Sequence, residues 1–407
     1  MWVHPLHLGS VIIVNVTGAY RDHAATTPLR DAAREAMLSW LGPRFGNPSG
    51  SHGPARAARE AIEVARDIVA AALGARSREI VFTGGGTEAL NLALTGSLPG
   101  ATDAPAIVGS VSPRPTILTS AIEHDAVTNA ADALARHGRA DHVRIPVLPN
   151  GVLDLDALEA LLRRGPVATV AVMAVNNEVG TVQPVPEVVD LVRRTAPGAL
   201  VLVDAVQGAA WLDMAVHGAG ADLMAISAHK FGGPQGVGAL VVREGTVLEA
   251  MLFGGGQERQ RRSGTQNVAG IVAMAEALRV TIDQRADDRS RVEALRDRLV
   301  DALVAAVPGC HETVPRRYKV AGNAHVCVEG VESESLLVLL DDGGVYASAG
   351  SACASGAIHT SPVLQAMGVD PGRAAGSLRL TLGPSTTDDD VDLVLKVVPV
   401  AVAQLRS

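Results

Sequence analysis

The sequence predicts an α/β protein with a largely parallel sheet, followed by a smaller α+β part, and three observations carry that expectation. Between about residues 55 and 265, short β-branched runs alternate with longer amphipathic ones. The β-branched runs are apolar on both faces, as strands are when helices cover a sheet on each side. After residue 265 the rhythm changes to long charged helices with a few strands between them.

Seven runs predict the strands of the large sheet: "EIVFTG" (79–84), "TILTSAIE" (116–123), "HVRIPV" (142–147), "VATVAVMAV" (167–175), "ALVLVDAV" (199–206), "DLMAISA" (222–228) and "GALVVR" (238–243). Helices are expected at "PARAAREAIEVARDIVAAAL" (54–73) and "LDALEALLRR" (155–164). The stretch from Gly270 to Val307 reads as one or two long helices charged on one face. A strand ("AHVCVEG"), a helix ("SESLLVLLDD"), a cysteine loop and another strand ("SLRLTLG") follow. The last helix opens at "TTDDD", where Thr386 and the acids behind it suit an N-cap. Residues 1–20 read as an N-terminal extension, 21–265 as the large domain, and 266–407 as the small one, joined by some N-terminal residues. "GATDAPAIVGSVSPRP" (100–115) reads as a loop insertion.

At 407 residues there is enough chain for two cores, and with 2% aromatics they must be built from Val, Leu, Ile and Ala. A net charge of -8 argues against an electrostatic nucleic-acid binder. Cysteines 310, 327 and 353 form no CxxC pair and cannot all be bridged within the chain, which suits a reducing compartment. The apolar run near Val11–Val16 has no Lys or Arg before it and is too short to cross a bilayer. A soluble, cytoplasmic protein is the simplest expectation.

Three motifs carry chemistry. In "FTGGGTEALN" (82–91) a strand runs into glycines and then a helix, a turn that lets backbone N–H groups approach an anion. In "ISAHKFGGPQG" (226–236) Lys230 stands at a strand's end beside Ser227 and His229. In "VLVDAVQGAA" (201–210) Asp204 closes a wholly apolar strand, half-buried and in need of a cation. Each alone has a plain reading: a tight turn, a loop lysine, a capping acid. Together they describe one ligand. A phosphate cradle, an imine-forming amine and a carboxylate for a ring nitrogen are what pyridoxal 5'-phosphate requires.

The ordered set "AATTP" (24–28), "GNPSGSH" (46–52), "GGGTEALN" (84–91), "EHDAV" (123–127), "NNEVG" (176–180), "DAVQ" (204–207), "SAHKFGGPQGVGAL" (227–240), "RSGTQN" (262–267) and "SAGSACASG" (348–356) resembles the cysteine desulfurases of the class V aminotransferase group. The resemblance runs from about Tyr20 almost to the C-terminus, and implies a pyridoxal-phosphate enzyme of fold type I. It implies that Lys230 forms the imine and that Asp204 partners the pyridinium. His124 would stack on the ring and help move protons, and Gln207 would bond the ring's hydroxyl oxygen. Gly86, Thr87, Ser227 and His229 would hold the phosphate. Thr265 would reach the phosphate of the other subunit, which implies a homodimer. Asn177 and Arg379 would hold the substrate's carboxylate.

The resemblance makes Cys353 the thiolate that attacks the sulfur of L-cysteine, keeps it as a persulfide and passes it to an acceptor, leaving L-alanine. Its surroundings, "SAGSAC", offer glycine and small side chains with little to anchor them, and resemble the subgroup with the longer cysteine loop. Acceptors would be an iron–sulfur scaffold or enzymes of tRNA or cofactor thiolation; no metal, nucleic-acid or membrane partner is implied. A selenocysteine lyase, or another class V enzyme sharing the pocket, is the alternative. Two positions depart from the family pattern: Arg21, where an apolar residue is usual, and Leu90, where an acid is common. Cys327 reads as a small buried hydrophobe in an alternating strand. His52 reads equally as a pocket-mouth residue or as one making local hydrogen bonds. "ERQRRSGT" (258–265) reads as a subunit-interface or pocket-rim segment.

Overall fold

The computed structural model describes residues 18–98, 114–350 and 361–407. The extension up to residue 17, most of the expected 100–115 insertion, and the segment 351–360 with Cys353 lie outside the described residues. A short strand, β1 (Ala19–Tyr20), opens the described chain. The seven expected strands then form one sheet: β2 (Ile80–Thr83), β3 (Thr116–Ser120), β4 (Asp141–Ile145), β5 (Val167–Met173), β6 (Leu200–Asp204), β7 (Leu223–Ser227) and β8 (Gly238–Val242). Their spatial order is β2-β8-β7-β6-β5-β3-β4. Neighbours from β7 across to β4 pair parallel, and β8 runs antiparallel to both β7 and β2.

Alternation explains why these runs are apolar throughout. Along β6, Val201 and Val203 enter the core on one face of the sheet, and Leu202 enters the core on the other. Each such side chain contributes about 1.5–3 kcal/mol by leaving water. Helices Gly53–Ala72, Leu155–Leu162 and Val185–Thr195 cover the first face, and Gly86–Gly96 and Asp125–Arg136 the second. Leu90 is buried in this second core, which accounts for an apolar residue at that position.

The second, smaller core is built on a three-stranded antiparallel sheet of β9 (Cys310–Glu312), β10 (Asn323–Val328) and β12 (Ser377–Thr381). Beside it β1 pairs in parallel with β11 (Val345–Tyr346), so residues from the N-terminus close this part of the molecule. The Gly270–Val307 stretch is a single helix, Val268–Ala306, of 39 residues. Its first half (Ile271, Met274, Leu278) packs in the large core and its second (Val292, Leu299, Leu303) in the small one. The last helix is Asp388–Leu405, and its N-cap is Thr387, not Thr386. Thr387 makes a reciprocal capping box with Asp390, whereas Thr386 is buried and bonded to Arg21 and Gly383.

Parallel strands send their carboxyl ends to one edge of the sheet. Asp204 ends β6, Ser227 ends β7, and the residues after β3 lead to His124. Lys230 closes the single helical turn that follows β7.

Candidate active site

Lys230 is half-buried, and its amine donates to the carbonyl oxygens of Ala24 at 2.6 Å and Ala25 at 2.8 Å. Burial, and then the Arg379 guanidinium, push its pKa down to about 8, against the pull of Asp204 and Asp22. Such an amine is neutral far more often than an exposed one, which is the state a nucleophile needs.

Asp204 is 5% exposed, and Oδ1 accepts the N–H of Val206 at 2.9 Å. Burial raises its pKa, while that hydrogen bond and the nearby His124 and Lys230 hold it down. A buried carboxylate at this strand end is suited to a cation placed beside it. Glu123 lies close by, wholly buried: Oε1 accepts from Met173 N at 2.6 Å and Oε2 has no partner. Burial and the Asp204 charge raise Glu123 well above the usual carboxylate range, against the hydrogen bond from Met173 N. His124 is exposed and is the N-cap of helix Asp125–Arg136, its Nδ1 accepting from Ala126 N at 3.0 Å. With Nδ1 acting as acceptor, the proton of the neutral ring sits on Nε2.

The glycine turn is shaped by close approach. A Cβ at Gly86 would stand 2.8 Å from Val206 Cγ2 and 3.3 Å from Ser227 Cβ, so only glycine brings this helix start against the ends of β6 and β7. The 11-residue helix Gly86–Gly96 therefore directs its free N–H groups beside Ser227, with Thr87 exposed at its first turn. His229 shares a hydrogen bond with Thr26 Oγ1 at 3.2 Å. Burial, with Lys230 adding to it, lowers the His229 pKa to about 4, which leaves a neutral ring. Gly86 and Ser227 thus meet at the start of this helix, with Thr87 the next residue on it and His229 two residues beyond Ser227. The donors gathered there are those an oxyanion takes.

On the small-domain side, Arg379 is 3% exposed and its Nη1 donates to the carbonyls of Asn177 at 3.0 Å and Gly350 at 3.2 Å. Its Nη2 donates to Asp22 Oδ1 at 2.6 Å. Asn176 spends its side chain on Ile122 O, Glu178 N and Val179 N, whereas the Asn177 side chain makes no hydrogen bond among the described residues. Gln207 Nε2 donates to Ala24 O at 2.7 Å. A cavity of about 370 Å³ opens on Lys230, Gln207 and Asn177. Asp204, His124 and the Gly86–Thr87 turn are not in its wall, so it meets the lysine from the side of the long helix.

Thr265 is exposed, three residues after Arg262, whose Nε donates to Glu88 Oε1 at 2.7 Å. The segment before it makes a tight turn in which Glu258, Arg259 and Gln260 take φ of 47°, 56° and 64°. Glu258 holds that turn: its carboxylate accepts from Arg66 Nη1 at 2.7 Å, Arg66 Nη2 at 3.1 Å and Phe82 N at 3.0 Å. His52 makes the local contact, capping helix Gly53–Ala72 by accepting from Ala55 N. Cys327 is buried.

Sequence reasoning gave no role to Asp22, Glu123, Glu178 or Glu258. Glu123 and Glu178 stand inside quoted motifs and Asp22 two residues before one, where an acid beside an expected ligand was the available signal. Glu258 gave a different signal: an acid inside a run of basic residues.

The class-V aminotransferase family model matches residues 19–394. An IscS-like cysteine desulfurase of Mycobacterium tuberculosis is 42% identical over 390 residues, 95% of this chain and 97% of that one. A solved NifS-like protein superposes with a TM-score of 0.87 at 34% identity, covering 95% of this chain and 100% of its own. The structure of SspA in complex with cysteine gives a TM-score of 0.77 at 28% identity, over 91% of this chain and 100% of that one. With these likenesses spanning both cores and the whole edge where Lys230, Asp204 and Arg379 stand, the chain belongs to the class-V aminotransferase family, among its cysteine desulfurases.

Proposed function

We propose that this chain binds pyridoxal 5'-phosphate and uses it to take sulfur from L-cysteine, leaving L-alanine and a persulfide on Cys353. The observation that carries the reading is Lys230: a half-buried amine with its pKa near 8, set between the charges of Asp204 and Arg379. The residues present fit the cofactor. Gly86, Thr87, Ser227 and His229 would hold its phosphate, with the partner subunit's Thr265. Asp204 would hold a proton on the ring nitrogen, Gln207 would meet the ring's hydroxyl oxygen, and His124 would stack on the ring. When bound, the group supplies an electron-withdrawing ring that lets bonds beside the substrate's nitrogen break.

The chain's own residues do the rest. Lys230 releases and retakes a proton at Nζ, and His124 can hold one at Nε2. Asn177 and Arg379 fix the substrate's carboxylate. The Cys353 thiolate forms an S–S bond to the substrate sulfur as the C–S bond breaks, and a proton goes to the carbon. Cysteine plus thiol gives alanine plus persulfide, so no outside oxidant is needed. SspA in complex with cysteine supports this substrate at 28% identity.

A homodimer completes the proposal. Phe253 is 88% exposed, with Leu252 and Met251 beside it, and Phe45 and Leu41 also project into solvent. Leu252 O accepts from Ser263 N at 3.2 Å, so the 251–253 patch adjoins the segment leading to Thr265, and large exposed apolar side chains suit a second copy. Residues 21–265 would form the cofactor domain and 266–407 the small domain. The sulfur would pass to an iron–sulfur scaffold or to thiolation enzymes. A free catalytic thiol suits the reducing cytoplasm. Among the described residues no helix is long and apolar enough to cross a membrane.

The test is purified protein loaded with pyridoxal phosphate and given L-cysteine and a thiol reductant. Sulfide and alanine are expected in equal amounts, with Lys230→Ala losing both and Cys353→Ser losing sulfide. No cofactor absorbance in the visible range, or a spectrum unaltered by Lys230→Ala, overturns the reading.

A further inference from the structure

The guanidinium of Arg379 is a five-donor fork, and the structure accounts for most of it. Nη1 is taken by two main-chain carbonyls, those of Asn177 and Gly350. Nη2 donates to the side chain of Asp22 at 2.6 Å, and Nε, buried, has no partner among the described residues. Nε and Nη2 share one edge of the planar group. That edge grips the two oxygens of a carboxylate in parallel. The Nη2 end of it already bonds a carboxylate belonging to the protein.

Asp22 does not stand alone. Its own carbonyl accepts from Ala25 N at 2.9 Å, Thr26 N at 3.3 Å and the Tyr20 hydroxyl at 3.1 Å, which fixes a tight turn. Two further carbonyls of that turn, those of Ala24 and Ala25, receive the Lys230 amine. One short turn therefore presents a carboxylate to the guanidinium and carbonyls to the amine. Asp22 is 23% exposed at its side chain, against 3% for Arg379, so the acid can swing away while the guanidinium stays.

We propose that Asp22 is a specificity-determining residue: an internal carboxylate bonded to Arg379 Nη2, which competes with a substrate's α-carboxylate for the charge and the two-point grip of Nη2 and Nε. This rests on the function proposed above. A ligand with a carboxylate meets both the competition and the reward. An amine without one meets neither. Asp22 thus sets how strongly the site distinguishes amino acids from simple amines, and sets it lower than a free fork would.

The test is Asp22→Asn, which keeps an oxygen acceptor near Nη2 and removes its charge. A neutral acceptor is displaced more easily than a charged one, so binding of carboxylate ligands tightens by roughly fivefold. The readouts are KM for L-cysteine with kcat, and equilibrium titration of cofactor-loaded protein with L-alanine and with ethylamine, followed by visible absorbance. The expected result is a lower KM and tighter alanine binding, with ethylamine binding changing much less than alanine binding. Asp22→Ser repeats the test with an unrelated side chain. Alanine binding that is unchanged or weaker in variants that load cofactor normally overturns the proposal, as does an equal change for ethylamine. The titrations need no turnover. Wild-type protein that makes no sulfide therefore sinks the proposed function while leaving the Asp22 measurement readable.

Discussion

The Lys230 amine and the Gln207 amide donate to the same acceptor, the carbonyl oxygen of Ala24, at 2.6 Å and 2.7 Å. Two side chains from different strand ends are thereby referenced to one point of the N-terminal turn. The amine is held in place by neutral carbonyls rather than by a carboxylate, which is why burial can lower its pKa to about 8. An amine locked in a direct salt bridge would be stabilised as the cation and would resist.

The rate at which cofactor-free protein captures pyridoxal phosphate is expected to rise with pH and level off above about pH 8, two units or more below an ordinary lysine. Asp22 favours the charged amine, so Asp22→Asn moves that midpoint down. Stopped-flow absorbance across pH 6.5–10 (about the range the shift demands) measures both. A midpoint near 10 contradicts the environment described for the amine.

Glu178 is expected to make stability pH-dependent. Burial raises its pKa to about 7, against the Ser361 hydroxyl and Arg379, which lower it. His325, 3.9 Å away, is neutral, its pKa pushed down to about 3 by burial and then by Lys319 and Arg379. An acid whose folded pKa is raised holds a proton that the unfolded chain has already lost, so its contribution falls as pH rises from about 4.5 to about 7. Glu178→Gln removes that penalty. Urea titrations of the two proteins should diverge over this window, the variant gaining on the order of 3 kcal/mol relative to wild type by pH 7. Parallel curves reject the assignment.

Arg21, like Leu90, is a family departure that the structure explains. It is 1% exposed, with Nη1 donating to Thr386 Oγ1 at 2.7 Å and Nη2 standing 2.7 Å from Asp390 Oδ2. The pair joins the N-terminal strand to the cap of the last helix. Asp390→Ala leaves a buried cation uncompensated and should cost about 3 kcal/mol, whereas Arg21→Met replaces it with apolar packing and should be near neutral. Chemical denaturation of both variants decides; a mild Asp390→Ala with a severe Arg21→Met reverses the argument.

Gln260 sits at φ 64°, exposed, in the strained turn before Thr265. Glycine takes that conformation without a Cβ clash, so Gln260→Gly should stabilise by about 0.5–1 kcal/mol in thermal melts. A loss of stability would mean that the side chain makes a contact worth more than the strain.

The large sheet was legible from local signals. Apolar β-branched runs of strand length between amphipathic helices gave all seven strands in their correct places, because burial on both faces leaves no polar alternation to read. The helix cap was misplaced by one residue. Two adjacent threonines precede three acids, and only the pairing of Thr386 with Arg21, some 365 residues away in sequence, frees Thr387 for the cap. The antiparallel turn of β8 was also beyond reach, since a strand's direction depends on its partners.

What the sequence alone determined was the inventory: an amine, an acid and a glycine turn at strand ends, in an order that resembles one enzyme family. Tertiary structure decided how those groups are held. Asp22 meets Arg379 across 357 positions of sequence, and Ala24 meets Lys230 across 206. Hydrogen bonds and desolvation act through space over a few ångströms, and nothing in a local run of residues records which distant atom will be there.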